Sequence, residues 1–271
     1  VDLNPTAIEL GKLSLWLNVI HKEMQTPFFG YRLGAGSAVI GAWFKTYTQN
    51  EFLFDKKQKR AKKNWWEKPP KPQHFQQKRP ENRIYHFLLP DKNMVASASS
   101  KLLKKQVPEK AKHVTKWKKE FCAPIRANEL LILQQIATKI DQLRDQHCQH
   151  QQRINQLTAG KIPVWEYEYE GQTELGLENY QEKEKLFQQR FQHNAPYFKL
   201  KMVMDYWCSF WFWDVRQAHK LPTRIEWWQD ILSLLDYQLT GEETGEETDQ
   251  NLANYRRKEQ AKKITKKLAQ E

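Results

Sequence analysis

Asp2 is the first side chain whose type and position could serve chemistry. It stands between the apolar residues Val1 and Leu3, and Asn4-Pro5 directly after it predict the start of a helix, because Asn caps helices well and Pro suits the first helical position. A carboxylate that follows an extended segment can accept hydrogen bonds from two vicinal hydroxyl groups, as at a ribose in doubly wound folds. An Asp before a helix also serves as a cap or offsets the helix dipole, so the position alone leaves both interpretations open.

A basic segment offers a second kind of chemistry. Residues 55–80 hold ten Lys or Arg, two acidic residues and four prolines, which favours an exposed, irregular arm. Lysine and arginine neutralise phosphates, and an indole can stack on an unpaired base. The candidate nucleic-acid-binding residues are Lys56, Lys57, Lys59, Arg60, Lys62, Lys63, Trp65 and Trp66. The alternative is a solvated linker whose tryptophans pack on the domain.

The third candidate is a small histidine cluster, which we interpret as structural. His147, Cys148 and His150 resemble a metal site, but the two histidines continue the apolar stripe of a predicted helix. No further ligands are evident in the sequence, so packed histidines are the favoured interpretation and no metal is predicted.

The elements that must position these residues are mostly helical. A helix is predicted from Asn4 to Asn18, and "AVIGAWF" is interpreted as a short buried strand. A possible strand covers residues 83–90. Leucine and isoleucine at spacings of three and four predict one long helix from Asn128 to Leu157. Residues 204–215, "MDYWCSFWFWDV", predict a helix that is buried on nearly all sides.

Composition limits the class of protein. The net charge is +12 and the pI is about 9.4, which favours a polyanionic partner such as nucleic acid over an inert basic surface. The three cysteines, Cys122, Cys148 and Cys208, are widely spaced. They indicate neither a disulfide framework nor a zinc site, and a reducing cytoplasm fits them best. No apolar run approaches 18 residues, so no membrane partner is expected.

Four segments carry a resemblance to a known family. "VDLNPTAIELGKLSLWLN" and "YRLGAGSAVIGAWF" resemble successive stretches of large bacterial DNA adenine methyltransferases of type IIG restriction–modification and phage-defence systems. These defence systems include BREX and DISARM, and "RIYHFLLPD" and "KLKMVMDYWCSFWFWDVRQAHKLPTR" are most similar to the methylase subunit of the DISARM type.

The resemblance implies transfer of a methyl group from S-adenosylmethionine to the adenine amino group in DNA. Asp2 would hold the cofactor ribose, with Leu3 and Asn4 beside the adenine ring. Gly36 and Ser37 would lie where the family has Gly-Asn, near the cofactor adenine. Implied partners are DNA and, within a defence system, other subunits.

Two family motifs do not occur in these 271 residues, the glycine-rich cofactor loop, expected upstream of Val1, and the NPPY or NPPF signature. "NAPYF", from Asn194 to Phe198, is the nearest approach, but helical sequence flanks it where a catalytic loop should follow a strand. We therefore interpret Asn194 as a helix cap and Pro196 as an early-turn proline, and no catalytic residue is predicted. The chain alone is expected to be inactive.

The expected fold is mostly α with a partial α/β element, an incomplete Rossmann-like methyltransferase segment joined to a helical region. The expected segments are a methyltransferase segment at residues 1–54, a basic irregular segment at 55–120, a helical region at 121–239, and an acidic linker with a basic tail at 240–271. The function expected is that of a fragment of a DNA adenine methyltransferase. The alternative is a non-catalytic helical module that binds nucleic acid.

Overall fold

A computed structural model describes residues 1–20, 28–30, 32–55, 60–61, 65–74, 77–158 and 180–236. The prediction of a mostly helical chain is confirmed within these ranges. The helices are α1 Pro5–Val19, α2 Gln49–Phe52, α3 Lys101–Gln106, α4 Pro108–Phe121, α5 Ala127–Thr158, α6 Tyr180–Gln188, α7 Pro196–Ser209 and α8 Arg224–Asp236. The 3₁₀ turns are Trp65–Glu67, His86–Leu88, Ala96–Ser99, Gln189–Phe191 and Val215–Lys220.

The strands are short and antiparallel. They are β1 Lys45–Thr48, β2 Phe54–Asp55, β3 Arg60–Ala61, β4 Lys71–Pro72 and β5 Arg83–Tyr85. One sheet has the order β4-β1-β5, and β2 pairs with β3. A Rossmann-like sheet is not seen among the described residues.

The chain divides into two compact units. The first comprises Val1–Gly41 and Leu143–Phe198, and the second comprises Ala42–Gln142 and the chain from Lys199 onward. The four segments expected from the sequence stay a prediction.

The first unit contains α1, whose start follows the sequence prediction. The Asn4 side chain accepts a hydrogen bond from the Thr6 amide at 2.9 Å, and Pro5 is the first helical residue. Most of the apolar face of α1 is nevertheless exposed, and Ile8 is its one buried residue. The buried strand expected at "AVIGAWF" is wrong. Val39 is 89% exposed and the backbone bends there, while the first strand of the sheet begins only at Lys45.

The second unit has a core rich in aromatic rings. Trp117 stacks on Phe121 with ring centroids 4.3 Å apart, and Phe210 meets Trp227 edge to face at 5.5 Å. The fully buried helix predicted for residues 204–215 is only partly correct. Helix α7 ends at Ser209, and Phe212 is exposed.

Helix α5 confirms the long helix predicted from Asn128 to Leu157. Leu133, Ile136, Ile140 and Ile154 are buried along the predicted stripe. Arg79 binds the Asp141 carboxylate at 2.8 Å, and the Tyr85 hydroxyl donates to the same carboxylate at 2.6 Å. These bonds attach the middle of α5 to the strand β5 region of the second unit.

Charge placed inside the stripe should unfold the protein. We expect Leu133→Asp or Ile140→Asp to lower the free energy of unfolding by more than about 3 kcal/mol, because each buries a carboxylate with no partner. Leu131→Asp is the matched control, since Leu131 lies on the same helix and is 61% exposed. Thermal melts of the three variants test this. Equal melting temperatures would mean that the stripe is not a packing surface.

His86 should make the fold sensitive to acid. Its pKa is lowered to about 4, mainly because of burial and also because of the charge of Lys45, while the hydrogen bond to the Trp43 carbonyl opposes this. Between about pH 6.5 and 4 this histidine is therefore protonated in the unfolded chain but not in the folded chain. The free energy of unfolding consequently falls as the pH falls through this window. The loss should approach about 3 kcal/mol near pH 4.

Denaturant titrations at pH 7 and pH 4.5 measure this sensitivity. We expect His86→Gln to reduce the difference in unfolding free energy between the two pH values. His219→Gln is the control, because His219 is exposed. If both variants keep the parent's pH dependence, His86 is not the acid-sensitive group.

Candidate functional site

The segment that resembles a cofactor-binding strand end has a defined local geometry. The Asp2 carboxylate accepts the Asn4 amide at 2.8 Å through Oδ1, and Asn4 in turn caps α1. Asp2 is exposed, and Leu3 is 77% exposed. The carboxylate thus stabilises the turn into the helix and is still accessible to solvent. Asp2 can therefore serve both as a structural residue of the helix start and as a ribose-binding residue.

The structure brings together the two sequence segments proposed for the cofactor. Asp2 forms a parallel bridge with Ala35, and the Gly36 amide donates to the Asp2 carbonyl at 2.8 Å. A Cβ atom added to Gly36 would meet nothing within 4 Å, so the space beside this bridge is open. The Ser37 hydroxyl oxygen accepts the Ile40 amide at 3.0 Å, which turns it toward its own loop.

The basic arm is only partly described. Lys56, Lys57, Lys59, Lys62 and Lys63 lie outside the described residues. Arg60 is the first residue of β3.

The two tryptophans of the arm are in different environments. Trp65 is 4% exposed, and its indole N–H donates to the Pro90 carbonyl at 3.2 Å. Trp66 is half-buried and meets the Trp65 ring edge to face at 4.5 Å. Trp65 therefore fits the alternative to base stacking, in which a tryptophan packs on the domain. Because its ring is buried, it has no free face on which a base could stack.

The "NAPYF" segment has the helical context expected for it. Pro196 is the first residue of α7, and a 3₁₀ turn rather than a strand precedes the segment. Helix α7 begins at Pro196, so the residue immediately before it is Ala195. Asn194, which the sequence predicted as the helix cap, lies one position earlier. The Tyr197 ring contacts the Arg190 guanidinium at 4.8 Å and the Phe191 ring at 5.6 Å.

The histidine cluster lies on the second half of α5. His147 and His150 are half-buried, and the His147 ring lies 5.4 Å from that of Tyr197. Burial lowers the pKa of His147, and the charges of Arg190 and His150 lower it further. Across the described part of the chain, no three His, Cys, Asp or Glu side chains are grouped as metal ligands.

A second basic surface lies beyond the arm, in the Lys-rich stretch that the sequence offers as the alternative carrier of the positive charge. Helices α3 and α4 place exposed lysines on the second unit between Lys101 and Lys119. The run "KLLKKQVPEKAKHVTKWKK" indicates this surface by its lysine content. Which of these lysines share a face becomes clear only when the run is interpreted as helix. None of the described helices is both long and apolar enough to cross a bilayer.

No known protein family, curated protein or solved structure matches this chain.

The arm itself should bind phosphates without reading sequence. We expect replacement of Lys56, Lys57, Lys59, Arg60, Lys62 and Lys63 by Gln to flatten the slope of log affinity against log salt for duplex DNA. The expected change is about 0.9 for each phosphate that is no longer neutralised, because each neutralised phosphate releases condensed counterions. Fluorescence anisotropy on two unrelated duplexes measures the slope. An unchanged slope would make the arm a solvated linker.

Proposed function

We propose that this chain is part of an S-adenosylmethionine-dependent DNA adenine methyltransferase of a bacterial restriction–modification or phage-defence system. The observation that carries the proposal is the bridge between Asp2 and Ala35. It brings an acidic residue directly before helix α1 and a glycine-containing loop, which are distant in sequence, to one place. Both segments resemble the same family, and their pairing in space is independent of that resemblance.

The chemistry of the bridge suits the ribose and adenine of the cofactor. A carboxylate directly before a capped helix is placed as in the α/β folds where such a group accepts from ribose hydroxyls, and the open side of Gly36 leaves room for a flat ring. The exposed apolar face of α1 is also compatible with the proposal, because helices of α/β folds pack an apolar face on a sheet. In this proposal Asp2 binds the ribose, Leu3 and Asn4 border the adenine, and Gly36 and Ser37 lie near it.

A second candidate function is a non-catalytic module that binds nucleic acid. The exposed lysines of α3 and α4 favour it, since they supply charge for phosphates without any cofactor. The two candidates differ in one measurable property, which is whether the segment around Asp2 binds S-adenosylmethionine.

Cofactor binding is testable by nuclear magnetic resonance, which detects weak complexes. We expect S-adenosylmethionine to shift the amide signals of Leu3, Asn4, Gly36 and Ser37 more than those elsewhere. Asp2→Ala should weaken binding about ten- to a hundredfold, because a charged hydrogen-bond acceptor contributes about 1.5–3 kcal/mol.

Glu9→Ala is the matched control for this titration. Glu9 is an exposed carboxylate on α1 that pairs with Lys12 at 2.7 Å. It should leave the affinity unchanged. Shifts confined to other regions, or equal effects of both variants, would contradict the proposal and leave the nucleic-acid-binding module as the function.

A further inference from the structure

Two neighbouring cavities in the second unit share one wall. The first, the aromatic pocket, has a volume of about 290 Å³ and is lined by Tyr47, Trp65, Trp66, His86, Asp91 and Trp207 among others. The second, the lysine cleft, has a volume of about 520 Å³ and is lined by Trp66, Lys92, Lys104, Thr115, Lys118 and Lys119 among others. Trp66 belongs to both, so the two cavities adjoin at this ring.

The walls of the aromatic pocket are held rigidly. The Trp207 indole donates to the Leu89 carbonyl at 3.0 Å, and the Tyr47 hydroxyl donates to the Lys68 carbonyl at 2.7 Å. The His86 ring meets Trp207 edge to face at 4.9 Å. A pocket of this size and lining suits one flat ring, because small-molecule sites are mostly aromatic or apolar cavities from about 300 Å³ upward.

Asp91 is the carboxylate in the wall of the aromatic pocket that could orient a polar ligand. Its carboxylate accepts the Asn93 amide at 2.7 Å. Burial raises the pKa of Asp91, against the opposing effects of the Asn93 hydrogen bonds and the Lys118 charge. A partly desolvated carboxylate of this kind is stabilised by a further donor, and the exocyclic amino group of a nucleobase is such a donor.

The lysine cleft is formed by one face of α4 together with neighbouring loops. Lys118, Cys122 and the buried Val114 are four residues apart and therefore lie on the same side of the helix. Lys118 is half-buried, and burial lowers its pKa while Cys122 and Asp91 oppose this. An ammonium group that is partly removed from water gains most from an anion placed against it.

The lysines of the cleft differ from other lysines of α4 in their partners. Lys112 pairs with Glu109 at 3.5 Å, and Lys116 pairs with Glu120 at 4.0 Å. By contrast, no ion pair to any described residue is formed by the four cleft lysines, Lys92, Lys104, Lys118 and Lys119. These lysines are therefore not held in salt bridges, although the charge of Asp91 acts on Lys118.

We propose that the two cavities bind one unpaired nucleotide of single-stranded DNA, with the base in the aromatic pocket and its phosphate in the lysine cleft. Trp66 stacks on the base, Asp91 accepts from its amino group, and Lys104, Lys118 and Lys119 contact the phosphate. A methylated ammonium ion would also suit aromatic rings beside a carboxylate. The lysines next to Trp66 disfavour a cation and favour a ligand that is aromatic at one end and anionic at the other.

This inference is independent of the methyltransferase proposal. It involves only residues of the second unit and needs no cofactor. Failure of S-adenosylmethionine to bind would leave it intact, and failure of nucleotide binding would leave the cofactor proposal intact.

The base end is tested with labelled ten-nucleotide strands of deoxycytidine and of thymidine by fluorescence anisotropy on the full chain. We expect the cytosine strand to bind several-fold more tightly, because thymine lacks an exocyclic amino group. Asp91→Ala should remove this preference. Trp66→Ala should weaken both strands about tenfold through the absence of stacking, while Trp66→Phe should retain most of the affinity and serves as the folding control.

The phosphate end is tested by salt titration of the same strands. The triple variant with Lys104, Lys118 and Lys119 replaced by Gln should lower the salt slope by about 0.7 for each phosphate left without its lysine, as for other single strands. The matched triple replaces Lys101, Lys112 and Lys116, which removes the same charge outside the cleft. It should change the slope by less than half as much.

Four results would overturn the proposal. The first is an unchanged strand affinity in Trp66→Ala, and the second is an equal change of slope in the two lysine triples. The third is displacement of the strand by a trimethyl-lysine peptide, which would make the pocket a site for methylated ammonium. The fourth is binding of free deoxycytidine monophosphate as tightly as the strand, which would make a free nucleotide the ligand.

Discussion

Three indole groups hold the segment that follows β5, and the second unit depends on them. Trp228 donates to the Leu88 carbonyl at 3.0 Å, Trp207 to that of Leu89 at 3.0 Å, and Trp65 to that of Pro90 at 3.2 Å. These three consecutive carbonyls are buried where the strand has ended and Pro90 cannot extend it. Buried carbonyl groups need donors, and an indole supplies one while its ring fills the surrounding core.

The three tryptophans come from distant parts of the chain. One lies in the basic arm, one lies on α7 and one lies on α8. Each bond therefore fixes the position of a different element against the same backbone segment. Arg224 extends this arrangement, since it binds Glu129 of α5 at 2.6 Å and donates to the Phe121 carbonyl at 3.1 Å. The walls of the aromatic pocket are thus set by the same hydrogen bonds that assemble the core.

The sequence predicted elements whose signal is local. The cap at Asn4 and the stripe of α5 depend on residues a few positions apart, and both were found where expected. "AVIGAWF" failed because apolar residues around a glycine can equally form an exposed bend. The end of α7 at Ser209 was missed because apolar residues continue past it into a turn. Val95 adopts a backbone φ of 50°, which is rare for a β-branched residue and has no sequence signal.

The candidate sites show the same division between local and distant contacts. The turn from Asp2 into α1 could be predicted because Asn4 and Pro5 adjoin it, whereas pairing of Asp2 with Ala35 could not be derived from spacing. Trp65 and Trp66 are neighbours of the same type, so composition treats them alike. Their environments differ because Trp65 donates a hydrogen bond to the distant carbonyl of Pro90 and is buried in the core. Trp66 lies instead at the wall that the two cavities share.

The net charge of +12 is informative only when the partners of the individual lysines are known. Along α4 the acidic residues lie at positions that pair with Lys112 and Lys116, as expected for a solvated helix face. On the face that carries Lys118 and Lys119, neither lysine forms a salt bridge with a described residue, although the charge of Asp91 acts on Lys118. An evenly basic surface would attract any polyanion weakly, but the half-buried Lys118, with exposed lysines and an aromatic ring beside it, distinguishes a ligand by shape as well as by charge.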